Sequence, residues 1–228
     1  MTKLARFALA GAHVGDVLMA LPAMQAAAEA GYVPCIPQLP AGHAGVFGDL
    51  LIYAGNSGRA VHPDKMTNQY EAWIAGAIRA LPGVQQPLGR WSLQVPEWRH
   101  TDTPYSLLFP WCLDPAKRMS VDDAVLVANA MRNPVLVSAP GGEALCEHIA
   151  DRCGAVNLAS IDDRMTWPGA IARAEYVVSV DTGSMHMAAA LGKRVAGLFF
   201  RADQDRYAPP SSVALTTALE ASMEVRSW

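Results

Sequence analysis

Residues 177–192 read VVSVDTGSMHMAAALG. An apolar, β-branched run meets Asp181, Thr182, Gly183 and Ser184, and an alanine-rich helical pattern follows. An acid, two hydroxyls and a glycine therefore stand where a buried strand turns into a helix. In open α/β sheets, ligands bind beyond the carboxyl ends of the strands. A helix that starts there offers unpaired N–H groups and a partial positive charge. Gly183 lets a ligand approach the backbone closely, and Thr182 and Ser184 add hydroxyl donors. The sum reads as a cradle for phosphate, above all a diphosphate. His186, on the first turn, adds a further donor. Asp181 suits phosphate less well, because like charges repel; it suits helix capping or the hydroxyls of a sugar. The plainer alternative is that Asp181 and Thr182 only cap the helix and that His186 is a packed histidine.

The stretch GAHVGD (11–16) poses the same question near the N-terminus. Gly11 and Gly15 bracket a turn, and Asp16 stands at a helix start. The spacing is not GxGxxG, so a dinucleotide fingerprint is absent. Asp16 is either an N-cap or a carboxylate held where it can take a proton. His13 and Gly15 lie beside it in sequence, although a loop histidine with no role reads equally well.

The elements that must position these residues follow from periodicity. Leu4–Ala10 reads as a buried strand. From Asp16 to Ala30 apolar residues recur at helical spacing (Val17, Leu18, Leu21, Met24, Ala27, Ala28). Pro22 predicts a kink or restart in that helix, and Gly31 ends it. Residues 32–47, rich in proline and glycine, make a short strand at best and then a loop. Asp49–Gly55 reads as a strand and Tyr70–Leu81 as a helix. Residues 87–105 hold prolines, two tryptophans and charges without period, which marks a linker or a surface loop with packed aromatics. Beyond it the pattern alternates: a strand from Ser106, a helix over 120–131 capped by Ser120, a strand and glycine turn over 134–142, and a helix over Glu143–Cys153. A strand over 155–159 follows, then a helix capped by Thr166 and ending at Ala174 with Pro168 in its first turn. Strand 176–180, helix 184–191 and strand 194–200 complete it. Such alternation implies a parallel sheet covered on both faces.

Composition narrows the function. The chain has 228 residues, 51% hydrophobic and 17% charged, with a net charge of −3. That suits one large domain or two small ones and speaks against a general nucleic-acid binder. The four cysteines, at 35, 112, 146 and 153, include no CxxC pair. Cys146, His148 and Cys153 lack a second ligand pair at zinc-site spacing, so no metal site is expected. Scattered reduced thiols fit a cytosolic protein. No apolar run reaches the ~18 residues of a membrane span. The N-terminal residues lack a signal-peptide pattern, which again points to the cytoplasm.

Several stretches together resemble glycosyltransferase family 9, the bacterial heptosyltransferases. They are GDVLMALPAM (15–24), AKRMS (116–120), SAPGGEALCEHIA (138–150), DDRMTWPGAIARAEY (162–176) and VVSVDTGSMHMAAALGKRVAGLF (177–199). The resemblance implies an α/β fold of GT-B type: two small Rossmann-like lobes whose parallel sheets face a central cleft. Residues 1–103 would form the acceptor-side lobe and residues 104–228 the nucleotide-sugar lobe. It implies an inverting transfer without metal or other cofactor, the substrate being a nucleotide-diphosphate sugar, ADP-heptose in the best-known members. Carried over, Asp16 matches the general base and Lys117 a lysine near the donor phosphates. Asp181, Thr182, Gly183 and His186 match donor contacts, with Ser184 among them, and Glu143 and Met165 match positions around the nucleoside. The chain departs from the family in three ways. It is shorter, mostly in the N-terminal lobe; Met119 stands in place of a tryptophan; and FRADQDRY (200–207) replaces the usual continuation. The acceptor, a glycan, glycolipid or other hydroxyl, stays open. The alternatives are a non-catalytic nucleotide-sugar-binding protein and a GT-B-like epimerase or hydrolase. The acidic balance opposes transfer to modified nucleic acid.

Overall fold

Strands in the first part of the chain are short and held from one side by a long buried helix. The computed structural model describes residues 3–9, 13–37, 47, 50–52, 58–66, 68–89, 91–98, 103–159, 167–201 and 203–228. In order come β1 (Lys3–Phe7), α1 (Val14–Glu29), β2 (Tyr32–Ile36), β3 (Leu51–Ile52), β4 (Arg59–Val61) and α2 (Gln69–Ala80). The sheet order is β3-β2-β1-β4, and every pairing is parallel.

α1 starts at Val14, two residues before the expected Asp16, because His13 rather than Asp16 occupies the N-cap. Asp16 is the third helical residue, and its Oδ2 accepts the His13 backbone N–H at 2.9 Å. That bond is the returning half of a capping box. Pro22 does not restart the helix, which runs unbroken to Glu29. An interior proline costs about 3 kcal/mol. Burying Leu18, Leu21 and Met24 gains roughly 1.5–3 kcal/mol each, so packing outweighs it. β2 is a full strand although it contains Pro34. Among the described residues β3 joins it at Cys35 and Ile36, and Pro34 has β1 alone beside it, where a missing N–H is tolerated. β4 was not expected. The strand expected over 49–55 is described only as Leu51–Ile52; the rest lies outside the described residues apart from Leu50. Asn68 caps α2 by accepting from the N–H groups of Tyr70 and Glu71.

The second part comprises β5 (Ser106–Phe109), a 3-10 turn (Pro115–Lys117), α3 (Val121–Ala130), β6 (Pro134–Leu136), α4 (Glu143–Cys153), β7 (Val156–Asn157) and α5 (Trp167–Arg173). Then follow β8 (Tyr176–Val180), α6 (Gly183–Ala190), β9 (Arg194–Leu198), α7 (Gln204–Tyr207), β10 (Ser212–Leu215) and α8 (Ala218–Arg226). The sheet order is β10-β9-β8-β5-β6-β7, again all parallel. The chain builds outward from β5 to β7, then returns to lay β8 on the other side of β5. The order reverses between β5 and β8, and that is where doubly wound sheets take ligands. All five residues of β8 are buried, as a central parallel strand covered on both faces requires. Ser120 caps α3 as expected, and Gly154 ends α4 at φ +70°. The cap expected at Thr166 lies outside the described residues.

The chain divides into two compact units, Met1–Gln94 with Asp205–Tyr207, and Val95–Gln204 with Ala208–Trp228. Residues 95–98 run onto the second unit. Arg173 donates to the Trp98 carbonyl at 2.9 Å, and the Trp98 ring packs on Tyr105 with centroids 4.9 Å apart. Gly169 lies so close to this segment that a Cβ there would sit 2.4 Å from the Pro96 carbonyl oxygen.

Candidate functional site

The second unit's switch point is built from two strand ends. At the end of β8, Asp181 donates its N–H to the Leu198 carbonyl at 3.1 Å, which fixes it to the sheet. Thr182 is the N-cap of α6, with extended backbone, and Gly183 opens the helix. At the end of β5 the chain passes Trp111 and Cys112 to Asp114. The Asp114 carboxylate accepts the Ala116 N–H at 3.0 Å and so caps the 3-10 turn. That turn carries Lys117 to Asp181: Nζ lies 2.6 Å from Oδ2. Asp181 is only 6% exposed, and a buried carboxylate is costly without a partner. Lys117 supplies one. Burial alone would pull the ammonium down, but the hydrogen bond and charge of Asp181 outweigh it, and Lys117 titrates above the ordinary lysine range. His186, also buried, places Nε2 3.9 Å from the other Asp181 oxygen.

The hydroxyls of the turn bond to one another. Ser184 Oγ lies 2.7 Å from Thr182 Oγ1 and 2.9 Å from Ser179 Oγ. Ser179 in turn donates to the Val180 carbonyl at 2.8 Å. The three hydroxyls satisfy one another inside the turn. Their protons can run from Thr182 to Ser184 to Ser179 in one consistent chain. The helix mouth adds the backbone N–H groups of Gly183 and Ser184, and Ser184 Oγ ties the turn together from within. Ser179 was missed by sequence reasoning. Its signal was legible: a lone serine inside the apolar run VVSV.

Glu143 stands at the neighbouring strand end, after β6. Its Oε2 accepts the Gly141 N–H at 2.8 Å, so the side chain closes the glycine turn that opens α4. The turn is pressed on Trp111. A Cβ on Gly142 would lie 2.7 Å from the indole and from the Ser138 side chain. Gly141 has φ +96°, which a side chain would strain. Arg118 lies over the same indole at 4.8 Å and donates to the carbonyls of Cys112 at 2.6 Å and Leu113 at 3.2 Å. Trp111 and Arg118 thus fix the loop that presents Lys117. Neither residue is marked for this by the sequence pattern, and the contact of Trp111 with the glycine turn joins residues about 30 positions apart. Met165 lies outside the described residues.

On the first unit, His13, Gly15 and Asp16 stand together at the N-terminus of α1, beyond the end of β1. β1 is the strand where that sheet's order reverses, with β2 on one side and β4 on the other. Asp16 is half-buried, and one of its oxygens is taken by His13 N–H. Among the described residues, no three His, Cys, Asp or Glu side chains group so as to hold a metal ion. No described helix is long and apolar enough to cross a membrane.

Residues 125–225 match the family described as glycosyltransferase family 9 (heptosyltransferase). The chain resembles glycosyltransferase family 9. No curated protein matches it by sequence. Solved family 9 structures share its fold. One from Veillonella parvula superposes with a TM-score of 0.75 at 15% identity, over 94% of this chain and 85% of that one. The E. coli heptosyltransferase WaaC with ADP-2-deoxy-2-fluoro heptose gives 0.69 at 15% identity, over 99% of both chains. The E. coli ADP-heptose lipopolysaccharide heptosyltransferase II gives 0.63 at 18% identity, over 94% and 90%. The α/β fold with parallel sheets is thus that of the GT-B-type family 9 enzymes.

Proposed function

We propose that the protein is an inverting glycosyltransferase that moves a sugar from a nucleoside-diphosphate donor to an acceptor hydroxyl. The reading rests on one observation above others: Lys117 and Asp181, 64 residues apart, meet at 2.6 Å beside the N-terminus of α6, at the switch point of the sheet. A cation, a helix dipole and first-turn N–H groups there suit a diphosphate. As the bond from the anomeric carbon to the diphosphate oxygen breaks, charge gathers on the leaving group. The N–H groups of Gly183 and Ser184, with Lys117, stabilise it as it develops. Asp181 holds Lys117, and Asp181 and His186 suit sugar hydroxyls. Glu143 and Met165 belong beside the nucleoside.

The attacking hydroxyl forms its new bond to the anomeric carbon from the opposite face and gives its proton to Asp16. General-base assistance of this kind is worth roughly 10²–10⁴-fold. His13 and Gly15 flank the acceptor. In this reading residues 1–103 serve the acceptor and 104–228 the donor, in the cytoplasm. The charge neutralisation that a metal ion provides elsewhere falls to Lys117 and the helix, so the transfer needs no metal. The WaaC structure holds an ADP-heptose analogue, and ADP-heptose is accordingly the first donor to test.

Thermal-shift measurements with ADP, UDP, GDP and CDP test the reading. A nucleotide at 100 times its dissociation constant stabilises by about 2.7 kcal/mol, and ADP should stand out. A second reading, a non-catalytic nucleotide-sugar binder, draws on the Asp16–His13 bond, which gives Asp16 a capping role without chemistry. Nucleotide binding with no turnover of ADP-heptose on any acceptor hydroxyl would favour it. Donor consumed without acceptor would point instead to an epimerase or hydrolase.

A further inference from the structure

β9 ends beside β8 in register, Leu198 opposite Val180. The chain then reaches Arg201 in as many steps as β8 takes to reach Gly183, the first residue of α6. Arg201 is 69% exposed at its side chain, and its Nη1 lies 3.9 Å from Asp114 Oδ2. The other Asp114 oxygen caps the turn through Ala116, and the Asp114 carbonyl accepts the Lys117 N–H at 3.1 Å. Arg201 is therefore tied to the turn that presents Lys117, from the opposite side of β8. Two cations, one from the β5 loop and one from the end of β9, thus come from the two strands that flank β8, whose end leads into α6.

We propose that Arg201 is a second phosphate-binding side chain of this site and that it selects a nucleoside diphosphate over a monophosphate. The inference rests on the donor reading above. Each cation sits on a carboxylate, Lys117 on Asp181 and Arg201 on Asp114. The first pair is short and mostly buried, whereas the second is long and exposed and so contributes little. Arg201 gives up little by leaving Asp114. Its planar fork matches phosphate oxygens two at a time. Asp114 keeps its bond to Ala116 when Arg201 departs, so the turn under Lys117 stays closed. The sequence FRADQDRY, where the chain leaves the family pattern, is what brings this arginine to the site.

Calorimetric titration of ADP and AMP into the wild type, Arg201→Ala and Arg201→Lys tests the assignment, with melting temperatures checked for each. If UDP, GDP or CDP binds better than ADP, that diphosphate and its monophosphate replace the pair. Arg201→Ala should weaken diphosphate binding about tenfold, the worth of one charge-assisted contact, and leave monophosphate binding within about twofold. The lysine variant should recover part of the loss. Asp114→Asn, which keeps a cap oxygen and removes the competing charge, should tighten diphosphate binding; a weakening there assigns the effect to the turn and overturns the proposal. An unchanged diphosphate-to-monophosphate ratio in Arg201→Ala overturns it while leaving the donor site standing. A wild type that binds no nucleoside diphosphate overturns both.

Discussion

Two strand–loop–helix segments of the molecule share a form and differ in what they do with their acid. After β1, Asp16 lies inside the first turn of α1, half-buried, with one oxygen on a backbone N–H. After β8, Asp181 lies ahead of α6, 6% exposed, and is taken up by a lysine from another strand. Among the described residues, the first acid is bonded only to the cap of its own helix. The second is committed to holding a cation in place. In the proposed transfer Asp16 is the carboxylate that accepts the proton of an incoming hydroxyl, while Asp181 organises charge. Position relative to the helix start, a difference of four residues, sets their surroundings apart.

The largest effect that would sharpen this contrast is on turnover. Asp16→Asn should lower sugar transfer by roughly 10²–10⁴-fold, measured as nucleoside diphosphate released in the presence of acceptor, with melting temperature nearly unchanged because the amide oxygen still caps. Loss of transfer in step with unfolding would erase the distinction. Next comes Lys117→Met, which strands Asp181 without its partner. Urea unfolding should show a loss of about 2 kcal/mol, below the 3–5 kcal/mol of fully buried pairs because Lys117 keeps some exposure. Adding Asp181→Leu should restore part of it. No loss in the single variant would mean that the pair is incidental. Gly142→Ala pushes a Cβ into Trp111 and Ser138 and should cost about 1–3 kcal/mol, with Lys117-dependent binding reduced alongside. Ser179→Ala breaks the hydroxyl chain behind Thr182 and Ser184 and should cost about 1 kcal/mol in the same unfolding assay.

The smallest effect is a pH dependence that should be absent near neutrality. The Lys117 ammonium is held above the ordinary lysine range, by Asp181 against the opposing pull of burial. A group raised in the folded state contributes fully below its unfolded value and loses that contribution only as pH rises through the folded one. The stability difference between wild type and Lys117→Met, as far as this ammonium sets it, should stay flat from pH 6 to pH 9 and shrink only in strong alkali.

Long, locally determined elements were legible in the sequence. α4 and β8 have the bounds that periodicity predicts, and α2 agrees within one residue. The start of α1 was not legible, since Asp16 looks like an N-cap and histidine is a rare one; only the fold shows Asp16 reaching back to His13. β4 and β10 have three and four residues, too few to display a period. α8 was readable but unread: Thr217 and Glu220 form a capping box that stands in the sequence as T-x-x-E. The site divides in the same way. Glycine and hydroxyl residues after β8 marked a helix mouth, and Ser179 stood out inside its strand. The Lys117–Asp181 contact could not be read from composition, periodicity or spacing, because the sheet order, with β8 beside β5, is what joins them. The family resemblance singled out the lysine; the fold shows it paired with Asp181.

The most direct test is calorimetric titration of ADP, the leading candidate of the four nucleoside diphosphates, into the wild type and Lys117→Met at low and moderate salt. The account predicts one-to-one binding by the wild type that weakens as salt rises, and at least tenfold weaker binding by the variant. Equal affinity in both proteins, or no binding of any nucleoside diphosphate by the wild type, would contradict it.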